Sequence, residues 1–223
     1  MIRRILLATA TLVIFSLGAL AALPSSDAAE DLSGETETVV VLNTVQGDIY
    51  VHFFPEIAPE HVKNFIHHAR EGNYTGTYFH RVIPGFMIQG GDFNTKDDNP
   101  GNDGQGGWGY KGRGTSVSAE FSDRKHKRGI LSMARSQDPN SAGSQFFIMH
   151  ADYPSLNGKY TVFGEVIKGL DVVDKIVSVE KDKRSNRPFE NQTITGAEVH
   201  EWPKRKVEIF QLELKTLETT KPR

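Results

Sequence analysis

The sequence predicts one mainly β domain, a barrel or a sandwich rather than a series of strand–helix–strand units. Short runs of apolar and β-branched residues recur along the chain, and glycine-rich segments separate them. Only two stretches show the apolar spacing that is typical of an amphipathic helix. A length of 223 residues suits one domain with extensions, and such a domain can bury a core without disulfides.

The first predicted elements are a β-hairpin and a helix. Residues 39–42 and 49–53 are apolar or β-branched and flank a glycine turn, which is the pattern of two paired strands. Residues 59–71 start with a proline and are followed by a glycine, so they have the start and stop signals of a helix. One apolar face is formed by Val62, Phe65, Ile66 and Ala69.

The later elements are predicted mainly as strands, with one more helix over residues 170–177. The predicted strands are residues 78–83, 86–89, 130–134, 146–149, 162–166 and 194–200. Beyond this pattern, a few apolar residues in the last segment favour either one extra strand or a docking tail: Val207, Ile209, Leu212 and Leu214.

The N-terminal segment has the features of a secretory signal. Arg3 and Arg4 precede an uncharged apolar run over residues 5–23, and small residues suited to a signal peptidase follow it. We therefore expect a signal peptide at 1–29, a linker at 30–37, the domain at 38–202 and a C-terminal extension at 203–223. The mature chain would be exported, either periplasmic or secreted, or in the secretory-pathway lumen if the source is eukaryotic. The alternative is an uncleaved membrane anchor, since the run approaches the ~20 residues that span a bilayer.

Composition and motif searches exclude several kinds of chemistry. The absence of cysteine rules out disulfides, a thiolate nucleophile and cysteine-bound zinc. The formal net charge of −2 gives no general attraction to nucleic acid, so the basic run at residues 124–128 is interpreted as a solvated loop. The histidines lack metal-site spacing, Ser144 lacks the setting of a hydrolase nucleophile, and the glycine-rich residues 101–107 fit a mobile loop better than a phosphate site. We predict no cofactor, no metal and a monomer.

Three motifs in order carry a specific resemblance. They are the string FHRVIPGFMIQGGDF at residues 79–93, the pair GILSMA and GSQFFI at 129–134 and 143–148, and LNGKYTVFG at 156–164. Together they resemble the cyclophilin family of peptidyl-prolyl isomerases, over residues 39–202. The resemblance implies a closed eight-stranded antiparallel β-barrel capped by two α-helices, with the active groove on its outer face. It also implies isomerisation of X-Pro bonds, which we expect to assist the folding of exported proteins.

The chemistry of this reaction can be stated from residue types. Rotation about a peptide C–N bond meets a barrier of about 18–20 kcal/mol, and at an X-Pro bond it takes tens to hundreds of seconds. A donor that bonds the nitrogen of the twisted amide more strongly than the planar amide lowers this barrier. Arg81 is the natural donor, because a guanidinium is always charged and carries several N–H groups. The resemblance assigns Arg81 and Gln89 to catalysis; without the surrounding motif, an arginine that merely packs its stem over Phe86 would be the better interpretation of Arg81.

The resemblance also implies which residues hold the peptide. The proline slot is expected to be lined by Phe86, Met87, Phe147 and Leu156, with Ala134, Gln145 and Tyr160 beside it. Three positions depart from the family pattern: Arg135 where many relatives have Asn, Ser155 where tight binders of cyclosporin have Trp, and Tyr160 where His is common. We therefore expect weak cyclosporin binding. The rival hypotheses are a binding module or chaperone with little turnover, and a hydrolase that uses Ser144.

Overall fold

The computed structural model describes residues 34–220, so the predicted signal peptide lies outside the described residues, as does half of the predicted linker. These residues form eight strands and three α-helices. The strands are β1 (Thr36–Thr44), β2 (Gly47–Phe53), β3 (Arg81–Ile83), β4 (Met87–Gly90), β5 (Ile130–Met133), β6 (Phe146–Met149), β7 (Val162–Lys168) and β8 (Ile194–Pro203). The helices are α1 (Pro59–Arg70), α2 (Leu170–Val177) and α3 (Lys204–Thr220), and none of them is both long and apolar enough to cross a membrane.

The strands form one antiparallel sheet that curls into a barrel without closing completely. Their order is β3-β4-β6-β5-β7-β2-β1-β8, so β3 and β8 are its two edges. Across this seam, an isolated bridge joins Tyr78 to Thr193, and the backbone N–H of Ile194 donates to the carbonyl of Thr77 at 2.7 Å. The expectation of a closed barrel is therefore corrected to an open one. The predicted strand at 78–83 is also shorter in the structure. It is confined to β3, and Tyr78 pairs with Thr193 through the isolated bridge instead.

The alternation of side chains along the strands separates two apolar layers. Ile88, Phe146 and Ile148 point into the barrel, where the core cluster also includes Phe65 of α1. The Phe65 ring lies 5.1 Å from that of Phe146. The intervening residues point to the opposite face, where Met87 and its neighbours on β6 form a second cluster. The strands thus place a separate apolar surface on the outside of the barrel.

Two helices confirm the prediction from apolar spacing. Helix α1 starts with Pro59, and the carboxylate of Glu120 accepts the backbone N–H groups of Glu60 and His61 at 3.1 and 3.0 Å. A residue from a distant loop therefore caps this helix. Helix α2 follows Gly169, whose φ of 97° is in the left-handed region that favours glycine. The apolar residues of α2 are buried as expected.

The C-terminal extension forms a third helix that packs on the barrel, so the predicted extra strand is wrong and the alternative of a docking tail is confirmed. The barrel thus carries more than two helices. Its buried contacts follow a helical spacing: Val207 is fully buried, and Phe210 and Leu214 are partly buried. The Phe210 ring stacks on Trp202 at 5.4 Å, next to the end of β8. The apolar residues of this segment fit partly the two-residue period of a strand and partly the 3.6-residue period of a helix. The helix is the form that packs against β7 and β1.

Candidate active site

The pairing of three strands gathers the predicted polar residues on one face. Arg81 of β3 lies opposite Gln89 of β4, and Gln89 lies opposite Phe147 of β6. Residues directly opposite each other in antiparallel strands share a face, as do residues two apart in one strand. Met87 therefore joins the other three on the outer face. This register brings a guanidinium, an amide and two apolar side chains together from segments more than fifty residues apart.

A chain of hydrogen bonds orients the polar groups. The Nη1 of Arg81 donates to the Oε1 of Gln89 at 3.3 Å, and the Nε2 of Gln89 donates to the Oε1 of Gln145 at 3.1 Å. The Nε2 of Gln145 in turn donates to the carbonyl of Gly106 at 2.7 Å. The glycine-rich loop at residues 101–107 thus lies beside the site. Among the described residues, the bond to Gln89 is the only one that the guanidinium makes, so its other N–H groups remain available to a ligand.

Burial affects the charge of this donor only modestly. Arg81 is partly buried, and desolvation lowers the pKa of its guanidinium. An arginine nevertheless stays charged at neutral pH. Its Cζ lies 5.8 Å from the centroid of the Phe86 ring, so the positive charge stands at the edge of the apolar surface. The arrangement offers a hydrogen-bond donor and a positive charge at an apolar slot.

The predicted apolar residues belong to a single cluster. Met87 and Phe147 are buried, and the members at its margin are partly exposed: Phe86, Ala134, Leu156 and Tyr160. The Tyr160 ring meets Phe147 edge to face at 5.8 Å. This cluster is separate from the barrel core. The structure therefore brings together all nine residues that the sequence predicts for the site.

Two departures from the family pattern are linked in space. The Cζ of Arg135 lies 4.6 Å from the centroid of the Tyr160 ring, and its Nη2 donates to the carbonyl of Lys159 at 2.9 Å. Arg135 thereby supports Tyr160 at one end of the slot. Ser155, by contrast, is exposed and adds no ring to the surface.

His126 is a member of the site that the sequence interpretation missed. The basic run at residues 124–128 predicts a solvated loop. The His126 ring is nevertheless only 1% exposed, and it stacks on Phe147 with ring centroids 6.1 Å apart. The hydroxyl of Ser132 donates to the carbonyl of Thr161 at 2.9 Å, so it must accept from the Nε2–H of His126 at 3.0 Å. Burial lowers the pKa of His126, in keeping with a neutral ring. Nothing in a run of basic residues distinguishes the one that turns inward.

The rival chemistries are not supported by the described geometry. Ser144 is fully buried, and its Oγ donates to the carbonyl of Gly91 at 2.6 Å, so its hydroxyl serves the fold. Over residues 34–220 no group of three acidic or histidine side chains is arranged to hold a metal. His68 instead bonds the carbonyl of Trp108 at 2.9 Å, and burial lowers its pKa to about 4.

Comparison with known proteins places the whole domain in one family. The model of the cyclophilin-type peptidyl-prolyl cis-trans isomerases matches residues 39–199. A probable peptidyl-prolyl cis-trans isomerase of Brucella abortus is 45% identical over 174 residues, covering 76% of this chain and 83% of that protein. A peptidyl-prolyl cis-trans isomerase of Acinetobacter baylyi is 38% identical over 190 residues, covering 82% of this chain and 89% of that protein.

A solved structure supports the same assignment. The chain is similar to a cyclophilin-type isomerase of Cryptosporidium parvum, whose crystal structure was determined in the presence of the dipeptide Ala-Pro. The two share 36% identity with a TM-score of 0.66, and the match covers 73% of this chain and 98% of the other.

Proposed function

This chain belongs to the family of cyclophilin-type peptidyl-prolyl cis-trans isomerases, and we propose that it acts on X-Pro bonds of exported proteins through Arg81 and the adjoining apolar slot. The observation that carries the assignment of the site is the juxtaposition of Arg81 with Phe86 and its neighbours on one outer face. A guanidinium with free N–H groups beside an apolar slot suits a proline whose amide is leaving its plane.

The slot holds one end of the rotating bond. The flat apolar ring of proline fits against aromatic faces and the flexible thioether of Met87. Once the proline ring is held still, the preceding residue can turn about the C–N bond. Binding of the proline ring in a preformed slot also fixes the substrate in advance. Less translational and rotational entropy is then lost between the bound substrate and the twisted state.

Arg81 binds the twisted amide more strongly than the planar amide. In the planar amide the nitrogen lone pair is delocalised, so the nitrogen is a poor acceptor. In the twisted amide the lone pair is localised, and a guanidinium N–H can donate to it. Gln89 holds one N–H of the guanidinium and so leaves the others oriented for the substrate. No nucleophile, metal or cofactor is required for this step.

The test compares Arg81→Ala with a matched arginine variant away from the slot. We expect the loss of one preorganised donor to lower kcat/KM by roughly a hundredfold in a proline-isomerisation assay. Peptide affinity and thermal stability should change little, because the Arg81 guanidinium makes a single hydrogen bond within residues 34–220. Arg70→Ala is the control, since this side chain is 60% exposed on α1. An unchanged rate for Arg81→Ala would instead favour a binding module with little turnover.

Export is the second part of the proposal, and it is supported by the basic start, apolar run and small residues of the N-terminal 29 residues. Mass spectrometry of the native protein, isolated from an extracytoplasmic fraction, should find a new N-terminus near residues 22–30. An intact Met1 in that fraction would contradict cleavage and favour the uncleaved membrane anchor, whereas a purely cytosolic location would contradict export. The clients would then be exported chains whose folding waits on slow X-Pro isomerisation.

A further inference from the structure

The aromatic surface of the slot continues outwards to Tyr153. This residue precedes the short 3₁₀ turn Pro154–Leu156, and it is 40% exposed. Its ring centroid lies 4.4 Å from that of Phe86, with the planes tilted by 42°. Such a distance is a close contact, at the short limit of the separations of favourable aromatic pairs. Phe86 and Tyr153 therefore form one continuous aromatic face that starts in the slot and ends in solvent.

The backbone holds this exposed ring in place. The N–H of Tyr153 donates to the carbonyl of His126 at 2.8 Å, and its own carbonyl accepts the N–H of Leu156 at 3.2 Å. The following residue, Pro154, disfavours a helical conformation at Tyr153, whose φ and ψ are −140° and 79°. A ring that is already positioned loses little conformational freedom when a ligand packs against it.

Exposure of an aromatic ring alone would carry no meaning, since single apolar residues on a surface are common. Phe121 and Phe189 are also exposed, at 43% and 65%. Neither of them packs its ring against another aromatic ring of the described residues, whereas Tyr153 packs against a residue of the slot. The contact with Phe86 is what distinguishes Tyr153.

We propose that Tyr153 and Phe86 form a subsite for an aromatic or other large apolar side chain next to the isomerised proline. The proposal rests on the proposed function, because Phe86 must line the proline slot. A client residue beside the proline would extend the buried apolar surface along the tilted pair of rings. The subsite would make the enzyme favour proline bonds flanked by such residues over those flanked by alanine.

The experiment measures kcat/KM for peptides that contain one proline flanked, on either side, by Ala, Leu, Phe or Glu. The wild type should prefer Phe to Ala on one side by about two- to tenfold, the factor that corresponds to one aromatic contact. Tyr153→Ala should bring this ratio close to one, and Tyr153→Phe should restore it, because the ring and not the hydroxyl makes the contact. Phe189→Ala is the matched control and should keep the wild-type ratio.

The outcomes separate the subsite from the proposed function. A wild type that isomerises the Ala-flanked peptide without any preference overturns the subsite alone, as does a preference that survives in Tyr153→Ala. A wild type that is no faster than Arg81→Ala on every peptide overturns both. Circular dichroism of each variant confirms that it is folded before its ratio is compared.

Discussion

At the scale of single residues, Gln89 connects the donor to the rest of the site because its amide has both an acceptor and a donor. The acceptor takes an N–H of Arg81, and the donor bonds Gln145, so the two partners set the orientation of the amide. An aliphatic side chain of similar size could satisfy neither partner. We therefore propose that Gln89, which the resemblance assigns to catalysis, acts by positioning Arg81, so that its effect on the rate should be smaller than that of Arg81.

We expect Gln89→Leu to lower kcat/KM by about tenfold, which corresponds to one net hydrogen bond of about 1.4 kcal/mol. The guanidinium would keep its charge but lose its fixed direction. The measurement is the isomerisation rate as a function of peptide concentration, with Gln46→Leu as control. Gln46 bonds Gln192 and lies outside the apolar cluster. An unaltered rate in Gln89→Leu would show that Arg81 needs no partner.

Ser155 gives a prediction about drug binding. The exposed serine leaves the rim without the tryptophan that tight cyclosporin binders carry, so we propose that cyclosporin binds weakly. Ser155→Trp should raise the affinity by roughly tenfold, because a large ring adds apolar contact area at a rim. Titration calorimetry checks this expectation. Ser155→Ala, which adds no ring, serves as control, and equal affinities for the two variants would contradict it.

At the scale of elements, the antiparallel register of β3, β4 and β6 determines which side chains meet. A slip of one residue would send Met87 and Gln89 into the barrel and bring Ile88 to the outside. The register is secured because the inward residues fill the core while the outward ones form the second cluster. The site therefore depends on the packing of both faces.

Disruption of the packing of helix α3 should lower the stability of the protein more than its activity. Val207 is fully buried beside Val39 and Ile167, so Val207→Asp would place a charge in an apolar contact. We expect a lower melting temperature and faster hydrogen exchange in residues 204–220, with kcat/KM nearly unchanged. Leu212→Asp is the matched control, because Leu212 is 66% exposed. A loss of activity in Val207→Asp with no change in exchange would contradict this view of the helix.

At the scale of the whole molecule, buried histidines should make the fold sensitive to acid. Burial lowers the pKa values of four histidines in the described part of the chain: His61, His68, His80 and His126. Because these values lie below the ordinary one, the unfolded chain takes up protons before the folded chain does. Their contribution to stability is full above about pH 6.5 and is lost as the pH falls towards 4, the value for His68.

The melting temperature should therefore fall between pH 7 and pH 4, and His68→Gln should flatten part of this dependence. His200→Gln is the control, since this side chain is 40% exposed on β8. Thermal unfolding at several pH values measures the effect. A His68→Gln profile that runs parallel to the wild type would show that His68 does not contribute to the acid sensitivity.

The sequence by itself determined most of the local elements and predicted which residues form the site. Helices α1 and α2 and the paired strands follow from apolar spacing and from proline and glycine signals, which depend on neighbours in the chain. The site residues came from motifs that match a known family, and the structure brings all of them to one face.

Only the tertiary structure decided the features that depend on distant contacts. The open seam between β3 and β8, the helical form of residues 204–220, the inward turn of His126 and the contact of Tyr153 with Phe86 all arise from packing between remote segments. Local spacing leaves such choices nearly balanced, because the energy that settles them comes from burial against partners far away in the sequence.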